Sequence, residues 1–149
     1  MGVHSLSVRD ITGILTPRVS TMPVYELREG LPNIPPNIHT HNTGGTGVAS
    51  MIAAANVGAD VLDAATGNMS VLTSQPLLGP IASVVCGTKI NTRFDSDALG
   101  EINIYWEKIR YLYASFKSGQ NSGIVRHENS QDSGGTVYQP ILPIQEYWF

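Results

Sequence analysis

Asn37-Ile38-His39-Thr40-His41, then Asn42-Thr43-Gly44-Gly45-Thr46-Gly47, then Val48-Ala49-Ser50-Met51-Ile52-Ala53-Ala54-Ala55 read as a short strand, a glycine-rich turn and an alanine-rich helix in direct succession. The helix should stop near Gly58, where glycine supplies the backbone freedom a helix end needs. A second strand, Ala59 to Ala64, follows at once. Upstream, His4 to Val8 reads as a strand, and Arg18 to Glu29 as a helix with Pro17 at its first turn, where the missing N–H costs nothing. Pro23 is expected to kink or shorten that helix. The loop Gly30 to Pro36 joins it to the quoted strand. Downstream, Gln75 to Val85 reads as a helix. The longest helix runs from about Ser96 to Phe116, with Ile104, Trp106, Ile109, Leu112 and Tyr113 at mixed three- and four-residue spacing.

Strands alternating with helices imply an α/β chain built on a parallel sheet. The sequence divides in two at about residue 116. Lys117 to Tyr138 is rich in Gly, Ser, Asn and Gln, and Gln139 to Phe149 carries two prolines and the apolar end Trp148-Phe149, so 117–149 is expected to be an irregular tail lacking a packing partner.

The chain has 149 residues, 42% of them hydrophobic, enough for the core of one domain. A net charge of -3 with no run of Lys or Arg offers no electrostatic footprint for nucleic acid or an anionic membrane. No stretch approaches the roughly 18 apolar residues of a spanning helix, and Met1 to Asp10 lacks a signal-peptide pattern. Partners are expected to be proteins or small molecules. The single cysteine, Cys86, ends the apolar run Ile81-Ala82-Ser83-Val84-Val85-Cys86 and is expected to be a small, buried, inert side chain.

His39-Thr40-His41 is the sharpest chemical signal, because alternate strand residues face one side and aim both imidazoles at one point. Two such rings can bind one divalent metal, or simply hydrogen-bond to their neighbours. The spacing leaves both open. Asp60 and Asp63, three apart on a strand, should face opposite sides and serve as solvated or capping residues. His127 and Glu128 lie in the polar tail and receive no role.

Three runs, Val8-Arg9-Asp10-Ile11-Thr12-Gly13-Ile14-Leu15-Thr16-Pro17, Asn37-Ile38-His39-Thr40-His41-Asn42-Thr43 and Gly58-Ala59-Asp60-Val61-Leu62-Asp63-Ala64-Ala65, resemble consecutive strands of a metal-dependent barrel. Pyruvate carboxylases, transcarboxylases, oxaloacetate decarboxylases and aldol-type synthases and lyases share that barrel. Asn68-Met69-Ser70 with Thr73-Ser74-Gln75-Pro76, and Tyr105-Trp106-Glu107 with Arg110 and Leu112-Tyr113, narrow the likeness to the carboxyltransferase domain of the pyruvate carboxylase family. The resemblance covers roughly Ser5 to Phe116 and fades after Tyr138.

The resemblance implies a partial TIM (β/α) barrel: about three C-terminal βα units, a following helix and the irregular tail. It implies metal-binding roles for His39 and His41. The family's carboxylated lysine ligand falls on Arg9, whose guanidinium stays protonated and offers donors but no acceptor to a cation. A divalent metal, Zn or Mn, should therefore bind weakly if at all. Asn42 replaces the family's usual aspartate and Thr12 its alanine. The full-length family uses biotin and ATP, but Met22, Met51 and Met69 are not followed by lysine, so no biotin attachment is expected, and no ATP site is seen. The family's aspartate ligand, its pyruvate-holding arginine and glutamine, and its proton-relaying threonine fall outside the matched region.

The implied reaction is carboxyl transfer from carboxybiotin to pyruvate, giving oxaloacetate, with this chain alone inactive and no catalytic residue assigned. Association with full-length carboxylase subunits, and a mitochondrial matrix or cytoplasmic setting, follow by resemblance. The alternatives are a non-catalytic interaction protein derived from that domain, or a divergent aldol-type synthase or lyase, which Asn42 would suit.

Overall fold

The computed structural model describes residues 2–70 and 72–116. Three strands, β1 (Leu6–Asp10), β2 (Pro36–Thr40) and β3 (Val61–Leu62), form one parallel sheet in the order β1-β2-β3. Helix α1 (Pro17–Gly30) connects β1 to β2, and α2 (Gly47–Asn56) connects β2 to β3. A single 3-10 turn at Gly67–Met69, helix α3 (Leu78–Val85), helix α4 (Ser96–Leu112) and a second 3-10 turn at Ala114–Phe116 complete the described chain.

The α/β reading holds, and its boundaries move by amounts that hydrogen bonding explains. The strand expected over Ala59 to Ala64 pairs only at Val61–Leu62. The helix expected from Gln75 starts at Leu78, because Ala65 bonds to the backbone on either side of Leu77 and holds 75–77 extended: Ala65 N–H donates to Pro76 O at 3.0 Å and Leu78 N–H donates to Ala65 O at 2.9 Å. Pro23 does not interrupt α1, which runs on to Gly30. The loss of one main-chain bond there is outweighed by tertiary packing on either side of it. Val24 is wholly buried, and the Ser20 hydroxyl donates 2.8 Å bonds to Pro17 O within α1 and to Ser50 O on α2.

The helices pack on one side of the sheet. Leu6, Val8, Ile38 and Thr40 alternate toward the helices, where Ile38 packs with Val24 and Ala54 and is flanked by Val8, Leu15, Val57, Ala59 and Leu62. Ser7, Arg9, Asn37 and His39 point to the opposite face, as the two-residue period of a strand demands. On that face the Asn37 Oδ1 is buried and, among the described residues, has no hydrogen-bond partner.

One burial expectation is corrected. Cys86 is exposed, not buried: the face α3 buries is set by Ile81 and Val85, one helical turn apart, and Cys86 follows at the helix end, turned away from it. Helix α4 buries no residue. Of its apolar set only Trp106 and Ile109 are half-buried, while Ile104, Leu112 and Tyr113 are more than half exposed. Its attachment is polar: the Asn103 Oδ1 accepts from Gly67 N–H at 2.8 Å, Asn68 Nδ2 donates to Asn103 O at 2.8 Å, and Arg110 donates to Asn68 O. The tail expected over 117–149, with His127, Glu128 and Trp148-Phe149, lies outside the described residues.

Candidate functional site

The C-terminal ends of β1 and β2 are laced together before any imidazole is placed. Asp10 closes β1, and its carboxylate accepts four bonds: from Thr12 Oγ1 (2.8 Å), Gly13 N–H (3.0 Å), Leu15 N–H (2.8 Å) and Thr40 Oγ1 (2.8 Å). Burial, the largest single influence, pushes its pKa up, but the four donors outweigh it and hold the carboxyl below its usual value. Gly13 adopts φ +71° and accepts from Gly44 N–H at 2.9 Å, so the turn after β1 rests on the turn after β2. Asn42 Oδ1 accepts from Gly47 N–H at 2.9 Å and so caps the first turn of α2. This gives Asn42 a structural role at the turn after β2.

A strap from the loop after β3 closes over the second turn. Asn42 N–H donates to Ser74 O at 2.8 Å, Thr43 Oγ1 donates to Leu72 O at 3.3 Å, and Leu72 is held at φ 55°, an uncommon conformation for a branched residue. The strap carries Gln75 to His39.

His39 and His41 do come together, with ring centroids 5.5 Å apart. Asp63 joins them, against expectation: β3 ends at Leu62, so Asp63 has left the strand alternation and its Oδ2 accepts from His39 Nδ1 at 2.8 Å. Asp60 behaves as foreseen, pairing with Arg28 at the surface (2.6 Å). On the other side of the ring the Gln75 Nε2 amide faces His39 Nε2 at 3.4 Å. Neither Asp63 nor Gln75 was picked out by residue patterns. A carboxylate just past a strand end, followed twelve residues later by an amide in a Ser-Gln-Pro loop, was the only available signal.

Arg9 lies in the same constellation. The register pairs Arg9 with His39 on adjacent parallel strands, so both side chains leave the same face of the sheet, with Arg9 exposed. Its charge is felt at His41. Burial, the largest effect, lowers the His41 pKa below 6.5, His39 lowers it further, a bond to the Thr73 backbone and the Asp10 charge oppose, and Arg9 adds to the lowering.

Because the folded ring resists a proton that the unfolded chain accepts from about pH 6.5 downward, stability should fall as pH drops below 6.5, until the folded ring is also protonated. His41→Gln should flatten the loss of thermal stability between pH 7.5 and pH 5.5. Equal losses in both proteins would show that His41 does not report this environment.

These residues do not fit a divalent-metal centre. Among the described residues no group of three or more His, Cys, Asp or Glu side chains is gathered for one, whereas a zinc site takes three or four protein ligands. The outer ring nitrogen of His39 faces the Gln75 amide, and Arg9 holds the register position next to His39 on the neighbouring strand.

The relatives agree with this architecture. The HMGL-like family model matches residues 1–71. The chain is 43% identical over 131 residues to pyruvate carboxylase of Schizosaccharomyces pombe, a match covering 86% of this chain and 11% of that protein. It is 42% identical over 133 residues to the mitochondrial pyruvate carboxylase of Homo sapiens, covering 85% and 11% respectively. The carboxyl transferase domain of Rhizobium etli pyruvate carboxylase, solved with pyruvate and biocytin, superposes with a TM-score of 0.79 at 35% identity, covering 83% of this chain and 20% of that one. The chain thus spans about a tenth of the length of the curated relatives it matches. By sequence and by fold alike, it corresponds to a segment of the carboxyltransferase domain of pyruvate carboxylase.

Proposed function

We propose that this chain represents the imidazole-bearing part of a carboxyltransferase barrel whose family reaction is biotin-dependent carboxylation of pyruvate to oxaloacetate, and that with Arg9 in place it does not transfer a carboxyl group by itself. The observation that carries the reading is the matched segment of parallel sheet with His39 and His41 at the C-terminal end of its middle strand, the end at which barrel active sites are built.

A partial barrel of about three βα units accounts for a three-stranded sheet in which, among the described residues, β1 and β3 are each paired on one edge only. The division at residue 116 into barrel segment and tail remains part of this proposal. In the intact family a bound divalent metal organises this site. His39 and His41 are the remnant of its ligand pair, and Zn or Mn would bind them weakly if at all. Asp63 fixes the tautomer and rotation of His39, Gln75 closes its outer nitrogen, and Asp10 holds the turns on which both rings sit. Biotin and ATP belong to the full-length enzymes. Pyruvate as substrate, association with complete carboxylase subunits, and a mitochondrial or cytoplasmic location are extended from the relatives.

A second reading, as a non-catalytic interaction protein, draws on α4 and the turn after it, where Tyr111, Leu112, Tyr113 and Phe116 are 62–84% exposed.

Grafting residues 2–116 over the matching segment of the Rhizobium etli domain and measuring carboxyl transfer between biocytin and pyruvate tests the principal reading. The graft should fold without transfer activity, and Arg9→Lys in the graft should recover it. Parental activity in the unmodified graft, or none in a folded Arg9→Lys graft, would refute the role given to Arg9.

A further inference from the structure

Helix α4 carries an apolar seam on a face turned away from the residues that anchor it. Ala98, Ile102, Tyr105, Ile109 and Leu112 follow one another at steps of four, three, four and three residues, the heptad spacing that keeps one stripe along a helix. Ile102, Tyr105 and Leu112 are 45%, 57% and 71% exposed, Ala98 is exposed and Ile109 is half-buried. The domain holds α4 by a different flank, where Asn103 and Arg110 bond to Gly67 and Asn68, and where the half-buried Leu99 and Trp106 lie. Along the other flank of the seam stand two exposed charges of opposite sign, Glu101 and Lys108, one heptad apart.

We propose that this seam is a self-association surface, on which α4 of a second copy of this chain packs antiparallel. Charge decides between the two ways of pairing. In a parallel pair the heptad positions of Glu101 and Lys108 face those of Trp106 and Tyr113 in the second copy, so no opposite charges meet. An antiparallel pair, related by a twofold axis between Ile102 and Tyr105, sets Ile102 against Tyr105 and Ala98 against Ile109 of the second copy. The same rotation brings Glu101 to within about 3 Å, along the helix axis, of Lys108 in the second copy, and the converse pair forms by symmetry. One chain thus supplies both halves of each charge pair, as a twofold interface requires. The proposal rests on the interaction reading of α4 and gives it a partner; carboxyl transfer, which the graft assay tests separately, plays no part in it.

Sedimentation equilibrium of the full chain, with reductant present so that the exposed Cys86 cannot link copies, should show the mean mass rising from that of one chain toward that of two between about 10 μM and 1 mM. Ile102→Glu should weaken association at least about tenfold, because the twofold axis buries the introduced carboxylate in both copies. Ile102 is exposed, so circular dichroism should report an unchanged monomer fold. At low salt Glu101→Lys and Lys108→Glu, each alone, should weaken association about three- to tenfold by setting like charges together. Mixed in equal amounts, the two variants should associate as tightly as wild type, because every facing pair is again of opposite charge. The mass of one chain at every concentration would mean that the seam is covered from within the chain or serves another protein. That result would overturn the proposal and leave the broader interaction reading standing. Dimers that tolerate Ile102→Glu, or charge variants that associate no better mixed than alone, would overturn it as well.

Discussion

Gly13→Ala should destabilise the protein by about 3 kcal/mol, while Gly45→Ala, at nearly the same backbone angle, should cost only about 1 kcal/mol. Both residues have positive φ, +71° and +77°, so each alanine meets the same left-handed penalty of roughly 1–2 kcal/mol. They differ in what a methyl group would meet. At Gly45 there is nothing within 4 Å, whereas at Gly13 a Cβ would lie 2.7 Å from Thr43 N and 2.9 Å from His41 C and O. These are backbone atoms and cannot swing aside, so one of the two turns must give way, adding about 1–3 kcal/mol of overpacking. The displaced turn is the one that ends β2 and carries His41. Urea denaturation should therefore separate the two variants by about 2 kcal/mol, and only Gly13→Ala should move the His39 and His41 resonances. Equal destabilisation would mean that the turns after β1 and β2 are not in contact.

The same turn shows where sequence reading succeeds and where it stops. Strand, glycine-rich turn and helix could be read from Asn37 to Ala55 because each depends on local chemistry: alternation at His39 and His41, glycines where the chain must bend, alanines where a helix must pack closely. Pro23 was misjudged for the converse reason. Its cost is local, but Val24 and Ser20 offset it through contacts with the sheet and with α2, some 14 to 30 residues away in sequence. Asp63 and Gln75 were hidden by the same distance. They meet His39 across separations of 24 and 36 residues, and no spacing rule reaches that far. Asp10 could have been suspected, since Asp-Ile-Thr-Gly after a strand is a sequence in which a carboxylate can accept from the following backbone. Cys86 marks the opposite limit. An apolar run or a helical stripe states that burial is possible, and the partner surface decides whether it happens.

Arg9→Lys should raise the affinity of this chain for Zn or Mn at least about thirtyfold when bicarbonate is present. Two effects act together. A guanidinium at 4 Å from a dication would repel it by about 8 kcal/mol at an effective dielectric near 20, an upper bound for a side chain as exposed as Arg9. If solvent screening leaves only a quarter of that, about 2 kcal/mol, the repulsion still accounts for roughly a thirtyfold loss. A lysine can also shed its proton and take up carbon dioxide as a carbamate, exchanging a repelling cation for an anionic ligand and raising the set at the strand ends from two imidazoles to three donors. Calorimetric titration of wild type, Arg9→Ala and Arg9→Lys, each with and without bicarbonate, separates these effects. Arg9→Ala should recover the repulsion alone and ignore bicarbonate, whereas Arg9→Lys should gain further only when bicarbonate is added. Replacing His39 and His41 by alanine in the Arg9→Lys background should abolish the gain. If all three proteins bind equally weakly under every condition, Arg9 is not what keeps a metal from this pair, and the Gln75 amide facing His39 Nε2 becomes the residue to remove next.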